Sequence, residues 1–89
     1  MTYGDHAENK KVKATLLYGI SEITSALAEE IEVEKETNNN EEAIKRMSDL
    51  KERFEKLKAN ISADVNLEHM DKHCQRFNIL WEVAHLLWI

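Results

Sequence analysis

The sequence predicts an all-α fold, an antiparallel three-helix bundle, on three observations. Apolar residues recur at gaps of three and four along most of the chain, the spacing of one helical face. Proline is absent and glycine occurs only at Gly4 and Gly19, so the usual turn-forming residues of a sheet protein are scarce. The periodicity breaks clearly in two places, around residues 37–40 and 62–66. Eighty-nine residues make a single domain with a modest core.

Residues 1–8 show no periodic pattern and are expected to form a flexible N-terminus. A first helix is expected over about 9–36, with Val12, Leu16, Ile20, Ile23, Leu27 and Ile31 on one face. Gly19 interrupts it at a cost of about 1 kcal/mol relative to alanine, which a close helix–helix contact would explain. Five glutamates between Glu29 and Glu36 sit at the negative end of the helix dipole, so the last turns are expected to fray. That acidic run reads as a solvated helix end, with a patch for a basic partner as the alternative.

Thr37-Asn38-Asn39-Asn40 is the clearest break, because Asn tolerates left-handed backbone and caps helices well. Asn40 as N-cap puts Glu41 and Glu42 in the first turn of a second helix, where the dipole favours acids. Ala43, Met47, Leu50, Phe54, Leu57 and Ile61 then form a heptad seam, giving a helix over about 41–61. Glu41/Lys45, Glu42/Arg46, Glu52/Lys56 and Glu55/Lys58 have the acid-first spacing that supports a helix, and read as its solvated face.

Past Ile61 the seam slips by three residues and resumes at Leu67, Met70, Cys74, Phe77, Trp81, Ala84 and Trp88. Asn60, Ser62, Asp64 and Asn66 are capping types, so a break at 62–66 and a third helix over about 66–88 are expected. No Gly or Pro enforces that break. The alternative is a helical hairpin whose second helix runs on for about 73 Å and dimerises along its uncovered length. The expected core is Val12, Leu16, Ile20, Ile23, Leu27, Met47, Leu50, Phe54, Leu57, Phe77, Trp81 and Ala84.

Composition narrows the function. The net charge is −5, of which residues 1–40 carry −4 (eight acids, four lysines), and no basic stripe is evident. Such a chain is a poor match for nucleic acid or for an anionic membrane surface. The apolar C-terminal run falls short of the roughly 20 residues of a membrane span and is interrupted by Glu82 and His85. Cys74 is the only cysteine, which suits a reducing, cytoplasmic setting.

The segment FNILWEVAHLLWI, residues 77–89, carries both tryptophans and is apolar on nearly every side. A bundle helix keeps an outward third, and here that third would hold large apolar residues. We therefore expect a non-enzymatic protein–protein interaction module (an adaptor, inhibitor or assembly subunit). Its contact face would comprise Ile79, Leu80, Val83, Leu86, Leu87 and Trp88, the partner being another protein or a second copy of the chain. The plain alternative is a small core that draws on all of them.

One cluster has a chemical reading. In Glu68-His69-Met70-Asp71-Lys72-His73-Cys74, His69 and His73 lie one turn apart, and with Cys74 they are candidate metal ligands for a metal- or ligand-responsive helical regulator. Zinc sites draw three or four ligands from more than one segment, and no Cys-x-x-Cys or second His pair completes this one. Boundary histidines beside a small buried thiol are the preferred reading, and no metal or cofactor is expected. Catalysis is not expected either: adjacent residues diverge on a helix, so Cys74 and His73 do not form a nucleophile–base pair.

Overall fold

The computed structural model describes the backbone of residues 2–88 and the side chains of residues 8–86. Three α-helices pack as an elongated bundle measuring 52 × 18 × 15 Å: α1 (Thr2–Thr37), α2 (Glu41–Ala63) and α3 (Met70–Trp88). A single 3-10 turn, Leu67–His69, leads into α3. The α1–α2 hairpin is the most closely packed pair, and α3 lies over it more loosely.

The hairpin turn forms as its asparagines predict. Asn39 takes the left-handed conformation (φ 50°), and the Asn40 side chain accepts from the Glu42 and Ala43 N–H groups at 3.1 and 3.3 Å. At the opposite end of α1 the expected boundary is corrected. The helix begins at Thr2 rather than near residue 9, so residues 2–8 are helical. A helix is carried by its own backbone hydrogen bonds and needs no apolar stripe to continue. Nor does α1 stop short over its acidic run: it holds to Thr37, with Lys35 paired to Glu32 at 3.6 Å.

The second break is built by side chains. Asp64 and Asn66 are extended (ψ 109° and 104°), which ends α2 at Ala63 and excludes the long continuous helix. Asp64 Oδ1 accepts from the Asn66 N–H at 2.9 Å, and Asn66 Oδ1 accepts from the Glu68 N–H at 3.0 Å. These local bonds offer the backbone a better arrangement than another helical turn, in place of Gly or Pro. Lys13 Nζ donates to the Asp64 carbonyl at 2.9 Å, fixing the end of α2 beside α1.

Leu16, Ile20, Leu27, Leu50, Phe54, Leu57, Ile61 and Ala84 form the core, with Val12, Ile23, Met47 and Phe77 packed against it. Trp81 does not join them. Its side of α3 turns outward and the residue is 41% exposed. The buried seam of α3 runs instead through Met70, His73 and Ala84, with Phe77 and Leu80 half-buried between them. Phe77 meets Phe54 edge-on at 6.0 Å, and Trp81 stacks on the outer side of Phe77 at 6.3 Å. Among the ion pairs, Arg46–Glu42 and Lys56–Glu52 form as expected, whereas Glu55 pairs back to Lys51 at 3.4 Å rather than on to Lys58.

Gly19 has no close helix contact to explain it: a Cβ placed there meets nothing within 4 Å. Gly19→Ala should therefore stabilise the fold by about 1 kcal/mol, because the gain in helix propensity meets no steric cost. A urea titration followed by circular dichroism reads this as a higher midpoint. An unchanged or lower midpoint would contradict open space at that position.

Candidate functional site

Ile79 and Leu86 lie seven residues apart, nearly two turns, on one outward flank of α3, and they are 61% and 76% exposed. Leu80 and Val83, expected on the same contact face, are half-buried and pack against the core. They support the face from beneath. The Leu87 and Trp88 side chains lie outside the described residues. Trp81 is roughly 200° around the helix from Ile79 and forms a separate exposed flank, with the His85 ring edge-on at 5.2 Å.

The Ile79 flank borders a groove between α2 and α3. Leu57 lies on its α2 side and Ile79 and Leu80 on its α3 side, while Arg53, Lys56 and Arg76 line it as well. Of these cations the sequence places Lys56 on the solvated face of α2, and it singles out neither Arg53 nor Arg76. A signal was present: Arg46, Arg53 and Asn60 follow one another at heptad spacing beside the Leu50–Leu57 seam.

The histidine cluster has a centre that the sequence does not announce. His69 Nδ1 donates to Asp64 Oδ2 at 2.9 Å, and His73 Nε2 donates to the same oxygen at 3.0 Å. His73 is 5% exposed, and its Nδ1 is buried without a hydrogen-bond partner. The bond from His73, then that from the Asn66 N–H, then that from His69 hold the Asp64 carboxyl below its ordinary 3.8, at about 2. A carboxylate that accepts several bonds is stabilised in its charged form.

This arrangement ties the end of α2 to the start of α3. The two donor–acceptor distances, 2.9 and 3.0 Å, are those of hydrogen bonds. Among the described residues no group of three or more His, Cys, Asp or Glu side chains is placed to hold a metal ion. Cys74 is not drawn into the cluster and packs partly against the core. Burial pushes its thiol above the ordinary value, and the Asp71 carboxylate adds to the rise. Such a thiol is held protonated and is a weak nucleophile.

Fold and surface together define a small all-α bundle with an apolar flank on its last helix. Comparison with known proteins adds nothing to that description: no family model, no curated protein and no solved structure shows significant similarity to the chain.

Proposed function

We propose that the chain is a non-enzymatic helical interaction module that binds a protein through the outward flank of α3. The observation that carries this reading is the pair Ile79 and Leu86, exposed on one face of α3, with Ile79 lining the α2–α3 groove. Covering a large apolar side chain is worth about 1.5–3 kcal/mol before association costs, so two adjacent ones favour a partner surface. A cytoplasmic setting belongs to the same proposal. It is supported by the single, half-buried Cys74, and among the described residues no helix is long and apolar enough to cross a membrane.

The double variant Ile79→Glu/Leu86→Glu tests the reading. Both side chains face outward, so stability should stay within about 0.5 kcal/mol per substitution. Sedimentation across concentration, together with affinity capture from cytosolic extract, should show the wild type holding a specific partner or a second copy and the variant losing it. Identical behaviour of the two proteins would remove this face from consideration.

A further inference from the structure

The groove beside Ile79 has a neighbour along the same seam, and the two together form a trough, interrupted by Arg53, whose charge runs against that of the whole chain. Toward the start of α2, Arg46, Asp49, Leu50, Arg53 and Val83 line a second depression that shares Arg53 with the first. Together they follow the α2–α3 seam from Asn60 to Arg46, about 21 Å or four helical turns. The ionisable residues lining the trough are Arg46, Arg53, Lys56 and Arg76 against Asp49 alone. In a chain of net charge −5, this is a local cationic surface with an apolar floor.

Two of these cations have carboxylate neighbours, Arg46 with Glu42 and Lys56 with Glu52. Among the described residues Arg53 and Arg76 form no ion pair, and both are exposed. They stand on opposite helices, near Leu57 and Ile79. Guanidinium groups so placed present paired N–H donors to a carboxylate, which a lysine ammonium cannot do with the same geometry.

Resting on the interaction reading above, we propose that this trough docks an acidic amphipathic helix of another protein. Apolar side chains at i, i+3 or i+4, and i+7 of the incoming helix seat on Leu57, Ile79 and Leu80, while its flanking carboxylates meet Arg53 and Arg76. Apolar burial supplies the affinity, and the charges supply the choice of partner and the encounter rate.

The chain's own acidic surface is the competing occupant. Exposed Glu22, Glu29, Glu30 and Glu36, with Val33 among them, lie on α1. In a three-helix bundle the outer face of α1 points away from the α2–α3 seam. Copies joined that way would contact head-to-tail and build a ring or an open chain, not a two-fold dimer. A separate acidic helix has no such constraint.

Two synthetic helical peptides of about four turns test the proposal. They share one leucine stripe and differ only in carrying glutamate or lysine on the flanks. Labelled peptide is titrated with the full chain at low salt and followed by fluorescence anisotropy. Net charge alone would favour the lysine peptide, so the expected result is the reverse: the glutamate peptide binds at least about tenfold more tightly. Arg53→Glu/Arg76→Glu, with circular dichroism confirming the fold, should invert that order.

Equal binding of both peptides, or tighter binding of the lysine peptide to wild type, overturns the proposal. If Ile79→Glu abolishes both while no charge preference exists, the α3 interaction reading survives and only the acidic partner is lost. If Ile79→Glu changes neither, the interaction reading fails as well. Self-association of the wild type that disappears in the Arg53→Glu/Arg76→Glu variant would make a second copy the occupant and overturn the foreign helix.

Discussion

Phe54→Ala is expected to cost about 3–5 kcal/mol and leave the chain at the edge of folding. Phe54 is 0% exposed and lies in the core cluster with Leu16, Ile20, Leu50 and Leu57. Its ring also meets Phe77 of α3 edge-on, so it joins the hairpin to the third helix. Small domains have total stabilities near the lower end of about 5–15 kcal/mol, and this loss takes a large share of that. Urea unfolding followed by circular dichroism should show a much lower midpoint, or a chain already partly unfolded in buffer. Phe54→Leu should cost less because it refills most of the cavity. A loss below about 1 kcal/mol for the alanine variant would mean that the core is not organised around this ring.

The same ring explains which parts of the fold were legible from sequence. In α1 and α2 one spacing of three and four accounts for the buried residues, and Leu16, Ile20, Leu27, Leu50, Phe54 and Leu57 lie where the periodicity puts them. In α3 two seams share Met70, Phe77 and Ala84. One continues through Cys74 and Trp81, the other through His73 and Leu80. Hydropathy favours the first, since thiol and indole are more apolar than imidazole. The protein uses the second. His73 Nε2 reaches Asp64 from there, and Leu80 rather than the larger Trp81 faces inward. A contact to Asp64, outside the helix itself, thus accompanies the inward turn of His73, which periodicity alone could not resolve.

The outward flank follows from that choice. With Leu80 and Val83 turned toward the core, Ile79 and Leu86 take the position that sequence reasoning assigned to the helix's outer third. The cationic edge of the adjoining groove was harder to read, because Arg53 and Arg76 lie on different helices and the segment balance of charge conceals them. Residues 41–66 hold six acids and six bases, which sum to nothing. Folding then places Arg46, Arg53 and Lys56 on the side of α2 that borders α3.

Asp64 should set a distinct acid limb in the stability of the protein. Its native value of about 2 lies below the ordinary 3.8. The stability it contributes is therefore complete above the unfolded value, declines as pH falls through the interval between 3.8 and about 2, and is gone below it. Other carboxylates titrate nearby, so the informative quantity is the difference between wild type and Asp64→Asn across that interval. The difference should shrink as pH falls, because Asn cannot be protonated there. At pH 7, Asp64→Ala should be worse than Asp64→Asn. Asn keeps one carboxamide oxygen, which in the Oδ2 position accepts from the His73 N–H at the expense of the Asn66 N–H bond to Oδ1, whereas Ala leaves both nitrogens of a ring 5% exposed without a partner. An unmet buried donor should raise the unfolding equilibrium constant by roughly tenfold over the Asn variant. If the wild type and Asp64→Asn curves run parallel from neutral pH to pH 2, the two histidine bonds contribute nothing to the fold, and the junction between α2 and α3 is held by the Asx turn and apolar packing alone.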